Sequence, residues 1–421
     1  MKLLSFISKV NLKPWGAAIS ITGICVGMYL DFLFKDITHW TLLFMILSII
    51  MLMDWKNLFR LHFPTYSPMF GWVILFHFYM LMYAILRIIA NIPTDSEFIT
   101  YHFYVIALCL SYCSIHDYYN FKSFPKILFL SVLPAVILGS IFCYMGLITG
   151  EAAYDLKVQD KDAYNLDMLT VSSAALYALF SLVVIDDNTI KWKILKIIVG
   201  IMSLYILLEC NKRTPIFMVV IGTIYYLYSR RKITLKLSIS SFRYVVSFFL
   251  TFFVLYMSVE FIHLSIDRFV DSFYNGVLGL LGDNSADYSK SVEIRIERRQ
   301  WADNYIENEF GFLNYIFGAG YLKSWLDYPL KQAFIDMGLI GYSLFLFLIV
   351  LYPLSVMVRR IDDNNLLLSL MLCLLPMFEL FSSGHPYQHS KYLPLCMLIF
   401  FVTARKHNHS LKQKEIKSEM N

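Results

Sequence analysis

Charge is what this sequence has least of. Only 16% of its 421 residues are charged and 58% are hydrophobic. Its mean hydropathy is +0.58, far from the mix of a soluble globular domain. It lacks a P-loop, a Gly-rich dinucleotide fingerprint and any repeat at a fixed period, which excludes the common nucleotide-binding classes. The seven cysteines are scattered, six within apolar segments and Cys210 at the end of one. Cys109 with Cys113 is the sole close pair, so neither a disulfide framework nor metal-ligand spacing is expected, only buried free thiols. The opening "MKLLSFISKVNLKPWGAAISITGICVGMYLDFLF" has a basic start and an apolar run without a small-residue cleavage site behind it. That predicts a retained first span with no soluble domain before it.

What the chain has instead is long oily runs. Stretches able to cross about 30 Å of hydrocarbon fall at 15–34, 38–53, 70–90, 99–115, 126–148, 168–185, 194–210, 215–229, 240–263, 334–357, 366–382 and 391–404. The predicted fold class is therefore all-α: a polytopic integral membrane protein of about twelve transmembrane helices. One long outer loop, 264–333, separates spans nine and ten, and a basic tail, 405–421, follows the last span. With both termini in the cytoplasm, 21 basic residues fall inside against six in the short outer loops, which sets the orientation. The net charge of +5 is mostly this bias, so no nucleic-acid partner is implied.

Three outer elements carry candidate chemistry. In "LLECNKRTPIF", 207–217, Lys212 and Arg213 lie at the membrane surface, where they either snorkel to headgroups or hold an anion; positive charge there runs against the topology bias. In "SVEIRIERRQW", 291–301, Arg295, Arg298 and Arg299 share one helical face, with Ile294 and Trp301 on another. The bland alternative is a surface helix with local pairs such as Arg299 to Asp303. Arginine grips phosphate bidentately and stays charged in a partly dry site, so a lipid-linked phosphate or pyrophosphate is the natural ligand.

The third element is "DYPLKQAFIDMGLIGYSLFLF", 327–347. Asp327 is the better candidate for a polar substrate, Asp336 reads as a helix N-terminal acid, and "GLIG" permits close helix packing. Near the end, "FSSGHPYQHSKYLP", 381–394, puts His385 and His389 on the same side as the arginines, and imidazole is the usual general base near neutral pH. Two bland readings complete the list. Arg87 lies near the outer boundary and snorkels there. The "DKD" of 160–162, in the acidic loop 149–167, has the spacing of metal-dependent glycosyltransferases, but hard cations need several converging oxygens, so no metal and no cofactor is expected.

Together "NKRTP", the S-x-E-x-R start, "FGAGY", the D-x-P…F-x-x-x-GLIG stretch and "SSGH" resemble the O-antigen polymerase (Wzy-type) family and the related O-antigen ligases, over about residues 200–400. The resemblance implies a GT-C-like membrane glycosyltransferase of the bacterial inner membrane, with short helices in its periplasmic loop. Such an enzyme moves a growing glycan from undecaprenyl pyrophosphate onto another lipid-linked repeat unit at the periplasmic face. Arg213 and Arg295 would hold the pyrophosphate, with Arg298, Arg299 and Lys212 beside them. Where the ligases have a catalytic histidine this chain has Asp327, a departure that favours polymerase over ligase and leaves Asp327 and His385 as rival bases. Expected partners are the undecaprenyl-pyrophosphate-linked oligosaccharide, membrane lipid and a chain-length regulator. The alternatives are a ligase, or a flippase of lipid-linked oligosaccharide. A flippase needs charges buried among its spans in both halves, whereas here polar groups gather in the outer loops.

Overall fold

The computed structural model describes residues 11–34, 39–92, 96–116, 118–146, 168–210, 213–230, 267, 270, 274, 290–323, 326, 328–359, 361–380 and 384–405. Among these the chain is all-helical, with no strand.

Helix α1 is Lys13–Leu33, α2 Trp40–Leu52, α3 Trp55–Phe59, α4 Pro68–Ile89, α5 Ser96–Ser114, α6 Phe124–Tyr144, α7 Met168–Val184, α8 Ile190–Cys210 and α9 Arg213–Ser229. Beyond 264, α10 is Lys290–Glu309, α11 Phe312–Phe317, α12 Pro329–Leu346, α13 Tyr352–Met357 and α14 Asn364–Glu379. The last, α15, runs over 393–405.

Eleven of the twelve apolar stretches lie over helices; the remaining one, 240–263, is outside the described residues. Among the described residues four helices are long and apolar enough to cross a membrane, Lys13–Leu33, Pro68–Ile89, Phe124–Tyr144 and Pro329–Met357, and several shorter apolar helices accompany them. Large apolar side chains such as Ile46 and Ile50 on α2, and Ile194, Ile197 and Ile201 on α8, are exposed along helix faces. Such faces suit lipid rather than water.

Small residues allow the tight contacts. A Cβ on Gly16 would sit 2.6 Å from the Leu52 nitrogen, and one on Gly27 2.6 Å from the Thr41 Cα, so α1 and α2 approach backbone to backbone as membrane helices do. From there α1 packs on α6, α6 on α7 and α8, and α7 on α9 and α14, while α4 pairs with α5 and touches α12. All seven cysteines are free and buried, as expected.

The loops assigned to the cytoplasm meet at one end of the bundle. There Lys13 pairs with Asp54 and Lys126 with Asp187, both at 2.7 Å. The Tyr118 hydroxyl donates to Asp363 at 2.7 Å, and Arg230 to the Asp362 carbonyl at 3.1 Å. Asp363 also caps α14, accepting from the Asn365 N–H at 2.8 Å. A cleft of about 410 Å³ lies here between Lys122, Lys126, Asp186, Asp187 and Asn364. It is a junction of paired charges, at the opposite end from every candidate of the sequence reading that the structure describes.

Among the described residues of the long loop, α11 is a short helix of six residues. The arginine stretch forms a helix of 20 residues. Helix α12 begins at Pro329.

Candidate functional site

At the other end, the site is built on two glycines that press against each other. Gly338 interrupts α12 with φ 62° and ψ −166°, and Gly318 ends α11 with φ 86° and ψ 175°. Both lie in a region essentially closed to residues with a Cβ. A Cβ on Gly338 would overlap the Ile316 carbonyl carbon, and one on Gly318 would overlap the Asp336 carbonyl. The break turns two α12 carbonyls toward the FGAGY turn: Ala319 N–H donates to Ile335 O at 2.7 Å, and Gly320 N–H to Asp336 O at 3.2 Å. The helix gives up part of its own ladder so that the loop can dock on it.

Helix α4 clamps the same turn from the side. Tyr79, Tyr83 and Arg87 stand four residues apart, on one face. Tyr83 Oη donates to Phe317 O at 2.7 Å, and Tyr79 Oη lies 3.3 Å from the same carbonyl. Arg87 Nη1 donates to Tyr321 O and, at 3.1 Å, to Leu322 O. The snorkelling expected of Arg87 is thus directed at a protein backbone. Each hydrogen bond from a charged donor contributes about 1.5–3 kcal/mol. Arg87→Met, which keeps the bulk, is expected to raise amide exchange over 317–323 at least tenfold in the purified protein; unchanged exchange there removes the clamp from the argument.

Asp336 ties the turn to the loop between α14 and α15. It is buried and accepts from Tyr387 Oη at 2.6 Å, Lys323 N at 3.1 Å and Gln332 Nε2 at 3.3 Å. This corrects its reading as a helix N-terminal acid. It sits two turns into α12, at the break, and holds three segments together. Tyr387 packs against Tyr321 with ring centroids 4.6 Å apart and the planes tilted by 34°, and the Tyr321 hydroxyl is 3.2 Å from His102 Nε2, whose Nδ1 is 2.7 Å from His77 Nδ1. Burial, reinforced by Asp336, raises the Tyr387 pKa well above its usual value, so this phenol stays a donor.

The histidines of this loop are enclosed. His385 and His389 are both buried, as is Lys391, whose Nζ lies 2.9 Å from Glu379. His385 Nδ1 accepts the Tyr387 N–H at 3.2 Å, which fixes its remaining proton on Nε2. Burial first, then Lys391, His389 and His102, holds its pKa well below the usual imidazole value. A base with its Nδ1 engaged and its charged form so disfavoured is a poor proton acceptor.

Helix α10 is docked beside this junction. Ala302, Tyr305, Leu326 and Ile335 form a small apolar cluster of their own, and Lys331 pairs with Asp303, the residue the sequence offered to Arg299. Arg299 lies over the Tyr328 ring, 4.9 Å from its centroid, and its Nε is buried without a hydrogen-bond partner among the described residues. Arg298 is on the same helix. Arg213 begins α9 and Arg295 lies in the first turns of α10, but their side chains fall outside the described residues. Lys212, Asp327 and the whole loop 149–167 also lie outside them.

Compared with known proteins, the chain matches no family model and no curated sequence. Among the described residues no three His, Cys, Asp or Glu side chains converge as a metal site. The site is therefore read from its own geometry. It offers guanidinium donors on α10, a loop hydrogen-bonded to α4 and Asp336, and the buried His385, His389 and Lys391 between α14 and α15. Sequence reasoning passed over Tyr79, Tyr83, His77, His102, Glu379 and Lys391. The four-residue spacing of 79, 83 and 87 was visible; their partners were not.

Proposed function

We propose that this chain is a membrane glycosyltransferase, a polymerase of surface polysaccharide. It would transfer a growing glycan from undecaprenyl pyrophosphate onto another lipid-linked repeat unit at the periplasmic face of a bacterial inner membrane. The observation that supports the reading best is Arg299, a guanidinium with a buried Nε lacking an acceptor among the described residues, on a helix docked against the FGAGY–Asp336 junction. Three elements of the O-antigen polymerase resemblance, "FGAGY", the GLIG stretch and the Gly384–His385 part of "SSGH", meet at that junction. This reading keeps the GT-C-like arrangement of about twelve spans, with both termini cytoplasmic and a chain-length regulator as partner.

The chemistry asks for two things. The bond between the anomeric carbon and the pyrophosphate oxygen breaks with its electron pair leaving on pyrophosphate, and the incoming sugar hydroxyl loses its proton as its oxygen bonds to that carbon. Arginines stabilise the departing charge. Arg213, Arg295, Arg298 and Arg299, with Lys212, are assigned that role. Of the two rival bases, Asp327 is the one we assign, since His385 already accepts a backbone N–H. Against a flippase, the described buried Asp, Glu and Lys side chains, Asp336, Glu379 and Lys391, lie near one end of the bundle rather than along both halves.

A strain lacking the gene is expected to lose the long polysaccharide ladder while keeping acceptor bearing a single repeat unit. Complementation with Arg298→Ala/Arg299→Ala or Asp327→Asn is expected to leave that defect, with the wild type restoring it. Loss of every repeat unit on the gel would instead favour a ligase or a flippase.

A further inference from the structure

Helix α11 belongs to a loop between spans, yet its surface is that of a span. Of its six residues, Phe312 and Leu313 are 77% and 66% exposed, and Phe317 is exposed as well. On α10, just before it in the chain, the exposed positions of the last two turns are Asp303, Asn304, Glu307, Asn308 and Glu309. Only Phe310 and Gly311 separate the two helices, so a wet surface gives way abruptly to an oily one. On its other side α11 is fastened to α12: the rings of Phe310, Tyr315 and Phe334 pack together with centroids 5.2, 5.8 and 6.1 Å apart.

The depth of α11 follows from the length of its partner. The helical run Pro329–Met357 has 29 residues and is about 43 Å long at 1.5 Å per residue, whereas the hydrocarbon is about 30 Å thick. Arg359, exposed just past the far end of that run, sets that end at the headgroups. Measured back from Met357, the hydrocarbon ends about 30 Å away, near Gly338. Helix α11 docks at that same level, since Gly318 presses on Asp336 and Gly338 on Ile316. Its apolar side chains therefore continue the exposed apolar faces of two spans, Leu339 and Ile340 on α12 and Ile88 and Ile89 on α4. The Lys331–Asp303 ion pair stands about 10 Å farther out along α12, on the polar side of the break.

We propose that α11 is an interfacial anchor, inserted by Phe312, Leu313 and Phe317 among the lipid chains of the leaflet on the site's side of the membrane. An apolar face at the edge of the hydrocarbon, continuous with the lipid-facing sides of two spans, is covered by acyl chains, and aromatic rings favour that boundary. The anchor fixes the height of the FGAGY turn above the bilayer, and with it that of α10 and Arg299. Resting on the polymerase reading for its ligand, this favours a substrate whose phosphate is tethered in the same leaflet over one free in water.

The test uses the full-length protein in phosphatidylcholine nanodiscs, with an environment-sensitive fluorophore on Phe312→Cys, Leu313→Cys or, as the aqueous control, Asn308→Cys. The seven native cysteines are buried, and the protein without an introduced cysteine gives the background. Nitroxide carried on the lipid chains is expected to quench the labels at 312 and 313, and aqueous iodide to quench the label at 308 roughly fivefold more than those two. Iodide quenching at 312 and 313 equal to that at 308 overturns the anchor. Quenching there by neither agent also overturns it, and a second copy of the chain in the same disc would then be the cover. The polymerase reading survives both of those results. A polysaccharide ladder unaffected by loss of the gene sinks that reading alone, and the quenching still decides the anchor.

Discussion

Gly338→Ala is expected to unfold the outer end of the molecule and abolish its function, at a cost of roughly 2–6 kcal/mol. About 1–3 kcal/mol comes from forcing a residue with a Cβ into a backbone region essentially reserved for glycine. A further 1–3 kcal/mol comes from overpacking, because that Cβ would overlap the Ile316 carbonyl carbon and approach the Gly318 nitrogen to 2.5 Å. Two controls separate the causes. Gly320→Ala carries a φ of 107° with nothing within 4 Å of the new Cβ, so it should show backbone strain alone, about 1–3 kcal/mol. Gly311 caps α11 with φ −83° in open space, and its alanine variant should cost under about 1 kcal/mol. The expected order of thermal midpoints in detergent is therefore Gly311→Ala, then Gly320→Ala, then Gly338→Ala. A Gly338→Ala protein as stable as Gly320→Ala would mean that the FGAGY turn does not rest on the break in α12.

The glycines show where sequence reasoning stops. Helices could be placed because hydropathy and length are local properties, and spans such as 70–90 and 126–148 differ from α4 and α6 by only a few residues at their ends. The site depends on pairings that leave no local trace. Asp336 looks like any acid near the start of a helix; what changes its role is a phenol 51 residues on. Arg87 looks like a snorkelling arginine, since its partners are backbone carbonyls 234 and 235 residues away, and carbonyls carry no sequence signature. The motif "GLIG" correctly pointed to a close approach. It could not say that the neighbour would be another glycine, in "FGAGY". Those two motifs, noted separately for their resemblance, are two halves of one contact. His385 and His389 were legible as residues of interest, but not as buried ones, because a short loop between two spans reads as solvated until its packing on α5 and α14 is known.

The buried pair Lys391–Glu379 gives the other large effect. Both side chains are almost fully enclosed, at 0% and 4% exposure. In such a place, removing one partner strands the other's charge and costs about 3–5 kcal/mol, whereas replacing both with neutral groups of similar size is often close to neutral for stability. Lys391→Met alone and Glu379→Gln alone should each lower the thermal midpoint sharply, and the double variant should recover most of the loss. That recovery is what makes the pair informative about function. If the ion pair were present only to hold α14 against the last loop, the double variant would be stable and fully active in the polysaccharide assay. If the Lys391 ammonium is itself needed for activity, the double variant is stable and inactive, since methionine and glutamine restore packing and charge balance but supply no ammonium. Stability and activity therefore part company in one protein, and the direction in which they part tells a structural lysine from one that meets the substrate.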